Sequence, residues 1–213
     1  MFGFFIAPDE PQFAQPLRER DVAPDPFVQF SAWFEQAATG GVRAPEAAAL
    51  ATAAADGAPS VRMVLVKDAG VRGFVFYTNF ESRKAQELAA NPRAALTFHW
   101  DALGRQVRVE GEVHRISSEE SAAYVRTRPR GSRLSALASP QSRIVPSREW
   151  LEQRVGELTA RYDGQDLPVP ETWGGFRLIA RSFEFWQHRE DRLHDRLRYR
   201  RSDGGWRIDR LAP

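Results

Sequence analysis

The sequence contains no cysteine among its 213 residues, and only two of its 30 basic residues, Lys67 and Lys84, are lysines. The absence of thiols excludes disulfides, thiolate metal sites and a cysteine nucleophile. The four histidines, at positions 99, 114, 188 and 194, show no metal-ligand spacing, and the sequence has neither a glycine-rich phosphate loop nor a nucleophile elbow. We therefore predict that no metal is bound and that an organic cofactor carries the chemistry.

Long apolar runs are also missing. No stretch approaches the roughly 20 residues that span a bilayer, and the first apolar run, MFGFFIAPDEPQF, is too short for a signal peptide and lacks a basic flank. The sequence pI is about 9.3, yet acidic residues are mixed with the basic ones throughout. These features predict a soluble, cytoplasmic protein without membrane or nucleic-acid partners.

The chain divides into an arm and a domain. Five prolines without hydrophobic periodicity indicate a flexible N-terminal arm over residues 1–26. Residues 27–213, in a chain of 42% hydrophobic content, are enough for one domain with one core. Helical spacing begins at Phe27 and ends at Gly40.

From Leu50 onward, short segments typical of strands are separated by turn residues. Between Gln106 and Ile116, valines alternate with polar residues, which is typical of a half-buried antiparallel strand. Because the strands do not alternate regularly with helices, we predict a mainly β fold, an antiparallel barrel with peripheral helices. The predicted strands are 60–67, 73–78, 94–100, 106–116, 174–180 and 182–188, followed by a hairpin of 196–201 and 206–211.

Three further helices are predicted after the first. One lies within residues 82–92. The second opens with a capping box at Ser117 and Glu120, runs through Arg126, and is broken by Pro129 and Gly131. The third opens at Ser147 and reaches Tyr162.

Two basic side chains, Arg83 and Lys84, stand in the first turn of a predicted helix. The helix dipole is positive there, so two cations are unfavourable unless an anion is bound. A phosphate monoester fits such a site. A solvated helix face is the alternative interpretation.

A second basic pair, Arg62 and Lys67, lies five positions apart on one predicted strand and should therefore point to opposite faces of the sheet. A bulge, two different anions, or sites shared across a subunit boundary would each give both residues a role. Two exposed basic residues on a strand remain the alternative.

A third cluster comprises Tyr124, Arg128 and Ser132. Tyr124 and Arg128 are four residues apart and would share a helix face close to Ser132, where a phosphate could be held. Surface packing of Tyr124 on Arg128 is the alternative.

Taken together, these segments resemble the pyridoxine (pyridoxamine) 5′-phosphate oxidase family over roughly residues 25 to 213. The matching stretches are RMVLVK, FVFYTNFESRKAQELAANPRAAL, RQVRVEG, RPRGS, SPQS, WGGFRL, and EFWQ with RLHDR and WRIDRLAP. The resemblance implies an FMN-binding split β-barrel that works as a homodimer with FMN at the interface.

Site residues follow from the same resemblance. The implied FMN contacts are Arg62, Met63, Val64, Leu65, Val66, Lys67, Tyr77, Thr78, Arg83, Lys84, Gln106, Gln141, Ser142, Trp186 and Arg196. The implied substrate contacts are Lys67, Tyr124, Arg128 and Ser132 around the phosphate, with Arg192, Leu193 and His194 at the reacting end. Arg192 and His194 are the implied catalytic residues, and on an extended segment they would share a face. Pairing of these two with Asp191 or Asp195 to close the barrel is the alternative.

The implied reaction oxidises pyridoxamine or pyridoxine 5′-phosphate to pyridoxal 5′-phosphate with molecular oxygen, giving hydrogen peroxide, and ammonia from the amine. Another split-barrel flavin reductase, or a non-catalytic carrier of flavin or pyridoxal phosphate, is the alternative. Such proteins would lack the RPRGS and RLHDR motifs.

Overall fold

The computed structural model describes residues 16–213. Residues 1–15 of the predicted arm lie outside the described residues. Within residues 16–25, Leu17 and Val22 are buried, and the backbone N–H of Leu17 donates to the Asp195 carboxylate at 3.1 Å. This segment is packed on the chain, and the boundary predicted at residue 27 stays a prediction.

The described residues contain five α-helices and eight strands. The helices are α1 (Pro26–Thr39), α2 (Arg83–Ala90), α3 (Ser118–Thr127), α4 (Arg130–Ala138) and α5 (Arg148–Arg161). The strands are β1 (Ala47–Ala53), β2 (Pro59–Gly70), β3 (Gly73–Asn79), β4 (Arg93–Trp100), β5 (Arg105–Arg115), β6 (Trp173–Gln187), β7 (Asp195–Ser202) and β8 (Gly205–Arg210). Across residues 16–213, none of the helices has the length and apolar character needed to cross a membrane.

The strands form one sheet in the order β3-β2-β1-β4-β5-β6-β7-β8, and an additional pairing of β3 with β6 closes the first six into a barrel. The pairing of β3 with β6 is antiparallel, with Phe76 opposite Phe176. The β7–β8 hairpin is antiparallel as well. The predicted antiparallel split barrel with peripheral helices is confirmed.

The chain folds into two compact units. Unit 1 comprises residues 1–49, 95–110 and 180–213, of which residues 16 onward are described, and unit 2 comprises residues 50–94 and 111–179.

Helix α1 supplies one side of the core of unit 1. Asp25 caps it by accepting a hydrogen bond from the Phe27 N–H at 2.8 Å, and Pro26 occupies the first turn, where its missing N–H costs nothing. The apolar stripe of the helix meets aromatic rings of the strands: Phe30 lies 5.0 Å from Phe98, and Trp33 lies 5.2 Å from Phe185. Burial of such rings stabilises this unit.

The core of unit 2 is built around β3, whose residues Phe74, Val75 and Phe76 are all fully buried. A strand covered on both faces reads as a continuous apolar run, as GFVF does. Gly111 allows close approach of another strand, because a Cβ at this position would lie 2.0 Å from the Ile179 carbonyl oxygen.

The sequence interpretation missed one helix. The helix predicted through Arg126 does end before Pro129, at Thr127, but a further helix, α4, begins at Arg130 with Pro129 as its N-cap. Proline is tolerated at a helix start because the N–H it lacks would have no partner there. Leu134 and Ala138, one turn apart, bury the inner face of this helix. The two predicted segments 174–180 and 182–188 also form the single strand β6.

Candidate active site

Strand β2 carries a β-bulge at Lys67. Its pairing with β3 shifts register between Val66, opposite Phe76, and Asp68, opposite Val75. A bulge re-aims side chains locally, and Lys67 lines a pocket of unit 2 together with Met63, Val64 and Leu65. Arg62 is not among the residues that line this pocket, so the two basic residues of the strand do not meet there.

The pocket has a volume of about 240 Å³ and eleven lining residues. Ten of them are among the residues predicted from the sequence. These ten are Met63, Val64, Leu65, Lys67, Tyr77, Thr78, Lys84, Tyr124, Arg128 and Gln141. The eleventh, Trp173, belongs to the WGGF motif but was given no role. Val66, which was also predicted, does not line the pocket and is buried.

Lys84 is the most enclosed cation of the pocket, with a relative exposure of 8%. Its ammonium donates to Thr78 Oγ1 and Gln141 Oε1, both at 3.1 Å, and to Ser82 Oγ at 3.4 Å. Burial and the neighbouring charge of Arg62 lower the pKa of Lys84, while Glu87 acts in the opposite direction. No acidic residue stands in the first turn of α2, and Ser82 makes no capping bond. A helix start that carries two basic side chains and no acidic one favours a bound anion.

Glu87, on the next turn of α2, was missed by the sequence interpretation. Its buried carboxylate accepts hydrogen bonds from Arg83 Nε at 2.8 Å and from Arg62 Nη2 at 3.2 Å, and also from the hydroxyls of Thr52 and Ser60. Burial opposes its ionisation, but the hydrogen bonds outweigh this and lower the pKa of Glu87 to about 2. The spacing of Arg83 and Glu87, four residues apart on one helix, was the available signal.

Arg62 and Arg83 are therefore held by a carboxylate, and neither lines the pocket. The Nη groups of Arg62 also donate to Thr52 and Ser60. Arg83 is largely exposed, and the hydrogen bond to Glu87 uses only its Nε. It can still present its terminal N–H groups to an anion at the start of α2.

Three aromatic residues also line the pocket. Tyr77 and Tyr124 stack with ring centroids 3.8 Å apart, and Trp173 lies parallel to both, 5.7 Å from Tyr77 and 6.2 Å from Tyr124. Burial, followed by the charge of Glu120, raises the pKa of Tyr77. Its phenol is thus a neutral donor at physiological pH.

Arg128 lies beside this stack, with its guanidinium carbon 4.4 Å from the centre of the Trp173 ring. It was predicted to lie within the helix of Tyr124, but it is the C-cap of α3, with extended backbone angles. The proline that follows explains this, because it disfavours helical angles in the residue before it. Tyr124 and Arg128 nevertheless line the same pocket.

Ser132 lies in an adjoining pocket of about 380 Å³, in the first turn of α4. Arg128, Gln141 and Trp173 line this pocket as well. The predicted phosphate residues of unit 2 are thus distributed over two neighbouring pockets that share Arg128.

The remaining predicted residues, apart from Ser142 in unit 2, belong to unit 1. Arg192 and His194 were expected on an extended segment, but this was wrong: Asp191 and Arg192 adopt left-handed angles, with φ of 55° and 59°, in a 3-10 turn. The turn brings His194 to 4.6 Å from Trp186 and 5.1 Å from His188, measured between ring centroids. Leu193 is 71% exposed. In the described part of the chain, neither Asp191 nor Asp195 forms an ion pair with Arg192.

His194 is held in one tautomer. The backbone N–H of Arg189 donates to its Nδ1 at 3.1 Å, so the neutral ring carries its proton on Nε2. Burial, and to a smaller extent the charges of His188 and Arg192, lower the pKa of His194. At neutral pH this side chain is an Nε2–H donor.

Arg196 is closely paired. Its Nε and Nη2 donate to the buried carboxylate of Glu184 at 2.9 and 3.2 Å, and its Nη1 donates to the Ala212 carbonyl at 2.7 Å. Arg108 donates to the same carboxylate. Gln106 is half-buried on β5, two residues before Arg108.

Positive backbone φ angles occur at predicted site residues of both units. Among residues 16–213, only Ser142, Asp191 and Arg192 have positive φ without being glycine. Two of them are predicted site residues. Because strained residues accumulate at functional sites, this supports a binding role for both segments.

Comparison with known proteins shows which family the chain matches. Residues 34–162 match the family model described as pyridoxamine 5′-phosphate oxidase, and residues 173–213 match the pyridoxine 5′-phosphate oxidase C-terminal dimerisation region. The pyridoxine/pyridoxamine 5′-phosphate oxidase of Cupriavidus taiwanensis is 56% identical over 198 residues, covering 92% of this chain and 93% of that protein.

Two solved structures are also similar. The structure of PhzG from Burkholderia lata, in complex with tetrahydrophenazine-1-carboxylic acid, superposes with a TM-score of 0.88 at 32% identity and covers 94% of this chain and all of that one. An FMN-binding protein from Nostoc punctiforme, related to pyridoxamine 5′-phosphate oxidase, has a TM-score of 0.68 at 18% identity, over 86% of this chain and 95% of that one. The second likeness concerns the fold alone.

Proposed function

Because the chain belongs to the pyridoxine/pyridoxamine 5′-phosphate oxidase family, we propose that it uses FMN to oxidise pyridoxamine or pyridoxine 5′-phosphate to pyridoxal 5′-phosphate. Molecular oxygen is the acceptor, hydrogen peroxide is formed, and the amine substrate releases ammonia. The observation that carries the proposal is the pocket of unit 2. It places Lys67, Lys84 and Arg128 around stacked aromatic rings, which suits two phosphorylated, planar ligands.

The chain's residues fit the FMN phosphate. Lys84 is a buried ammonium whose hydrogen-bond partners are neutral oxygens, and the first turn of α2 carries Arg83 and no acid. We assign the phosphate to this helix start, with Thr78 and Gln141 orienting the ammonium. When bound, FMN supplies the flavin ring that takes up the two electrons of the oxidation.

The substrate phosphate is assigned to Arg128, Tyr124, Ser132 and Lys67. Nη1 of Arg128 is buried and has no hydrogen-bond partner in the described structure, so it is available to a phosphate oxygen. A charge-assisted hydrogen bond to phosphate contributes about 1.5 to 3 kcal/mol. Several such bonds select a phosphorylated substrate.

The reacting end of the substrate is assigned to Arg192 and His194. The planar guanidinium of Arg192 can lie against the pyridine ring and hold it in a reactive orientation, which lowers the barrier by proximity. His194 offers its Nε2–H to a polar substituent of the ring. Its backbone-bonded Nδ1 leaves it no role as a proton acceptor at that atom.

Substrate turnover is tested by oxygen consumption. The purified, FMN-loaded protein should consume oxygen with pyridoxamine 5′-phosphate and release hydrogen peroxide and pyridoxal 5′-phosphate in equal amounts. Oxygen consumption without pyridoxal 5′-phosphate, or turnover only with reduced pyridine nucleotide and free flavin, would instead indicate a flavin reductase. FMN binding with no turnover of either phosphorylated substrate would indicate a carrier.

The homodimer is expected to complete the site. The chain carries the family's C-terminal dimerisation region, and we assign Arg128 and the partner subunit's copy of the RLHDR segment to one substrate. Mixing the weakly active Arg128→Ala and Arg192→Ala dimers under exchange should raise kcat/KM to about a quarter of the wild-type value, because one site of each heterodimer is then intact. No recovery, with exchange demonstrated, would place both residues on the same chain.

A further inference from the structure

Trp173 is the one residue lining the 240 Å³ pocket that was not among the FMN or substrate contacts predicted from the sequence. It is 9% exposed and begins β6, where it pairs with Asn79 of β3. It also lines the neighbouring 380 Å³ pocket, so its indole stands where the two pockets adjoin.

The guanidinium of Arg128 lies over this indole. Within residues 16–213 its side chain makes no hydrogen bond and no ion pair, and its Nη1 is buried without a partner. Its guanidinium carbon lies 4.4 Å from the Trp173 ring centre. The indole is itself fixed by stacking on Tyr124 and Tyr77.

We propose that Trp173 is the positioning residue that holds Arg128 for the substrate phosphate, and thereby sets the preference for phosphorylated substrates. This rests on the assignment of Arg128 to that phosphate. A ring face attracts a guanidinium without occupying its N–H groups, whereas a carboxylate would both occupy them and repel the phosphate. The side chain is thus ordered before the substrate arrives, and its hydrogen-bond donors remain free.

A double-mutant cycle separates this role from a structural one. We would measure kcat and KM for pyridoxamine 5′-phosphate, and the inhibition constant of inorganic phosphate, in the wild type, Trp173→Leu, Arg128→Ala and the double variant. Trp173→Leu should raise KM and the phosphate inhibition constant about tenfold and change kcat less than about twofold. In the Arg128→Ala background the same substitution should change either constant less than about twofold, because its effect passes through Arg128.

Two further variants guard against misfolding. Trp173→Phe keeps an aromatic face and should give about a third of the increase in KM, with FMN still bound. Trp150→Leu removes an indole that lies 4.9 Å from the guanidinium of Arg154 on α5 and should leave KM at the wild-type value. If Trp173→Leu does not fold, the cycle is run with Trp173→Phe.

An equal increase in KM in both backgrounds would overturn the proposal, as would a loss of kcat with the phosphate inhibition constant unchanged. Failure of the proposed reaction is a separate outcome. Wild-type protein that fails to oxidise pyridoxamine 5′-phosphate would refute the proposed function, and phosphate binding would then be measured by calorimetry in the same four proteins.

Discussion

Two basic side chains in the pocket of unit 2 have different partners from three paired arginines of unit 1. In unit 1, Arg108 and Arg196 donate to the buried Glu184, and Arg200 donates to Asp209 at 2.9 Å. In the pocket of unit 2, Arg128 lies on an indole face and Lys84 donates to neutral oxygens. A carboxylate neutralises its arginine, so we expect these pairs of unit 1 mainly to stabilise the fold. Arg128 and Lys84 have no carboxylate hydrogen-bond partner among the described residues, and we expect their charge to serve a ligand.

Arg62 and Arg83 stand between these two cases, since they share the carboxylate of Glu87. Composition alone could not distinguish arginines paired with a carboxylate, arginines that share one, and arginines without one, because 28 of the 30 basic residues are arginine. The role of an arginine is therefore indicated by the group that its guanidinium contacts, and not by the occurrence of arginine in the sequence. Four predictions test this difference, beginning with the largest effect.

Lys84→Met should weaken FMN binding about 100-fold, because a charge-assisted contact to the phosphate is lost at a buried position. Affinity is measured by quenching of flavin fluorescence. Riboflavin, which lacks the phosphate, should bind the variant and the wild type equally. Arg200→Gln serves as the control from unit 1 and should bind FMN normally. Equal weakening in both variants would remove the distinction between the two units.

Glu184→Gln should lower the free energy of unfolding by about 3 kcal/mol, because the substitution leaves Arg108 and Arg196 without their shared charge. Urea denaturation of the apoprotein measures this. Glu152→Gln breaks an exposed pair with Arg148 and should cost less than about 0.5 kcal/mol. Similar small losses in both variants would show that the buried pairs do not stabilise unit 1.

Arg192→Ala should lower kcat about tenfold, because the substrate ring loses the group that orients it. Unlike the other arginines of unit 1 named above, Arg192 forms no ion pair in the described part of the chain, so its removal should not change the urea midpoint. The measurement is turnover at saturating substrate with FMN bound. Wild-type turnover would show that Arg192 has no part in catalysis.

His194→Ala should lower kcat only about threefold, since it removes one neutral hydrogen-bond donor. The pKa of His194 lies below its usual 6.5, so the ring is already neutral at pH 7 and gains charge only as the pH falls through that lowered value. Between pH 7 and 9, kcat of the wild type and of the variant should therefore follow the same profile. A wild-type increase over this range that is absent in the variant would contradict the assignment.

Local patterns in the sequence predicted much of the fold. The alternation of Val107, Val109 and Val113 placed β5 correctly, since all three are buried. The caps at Ser117 and Ser147 are confirmed, with each side chain accepting from the N–H three residues later. These features depend on neighbours a few residues apart, which is the range that periodicity and capping rules cover.

The parts that the sequence did not predict depend on long-range contacts or unusual backbone angles. The role of Trp173 arises from stacking on Tyr124, 49 positions earlier by the residue numbers. The left-handed angles of Asp191 and Arg192 are rare outside glycine, and nothing in the side-chain pattern indicates them. A bulge on this strand was one of the alternatives that the sequence left open, and the register of β2 with β3 shows it at Lys67.

The central claim is that an arginine without a carboxylate partner selects phosphorylated substrates in unit 2. The direct test compares kcat/KM for pyridoxamine 5′-phosphate and for pyridoxamine, in the wild type and in Arg128→Ala. The wild type should prefer the phosphorylated substrate by more than about 100-fold, and Arg128→Ala should reduce this preference by at least about tenfold, mainly through KM. An unchanged preference in the variant, with FMN fully bound, would contradict the claim.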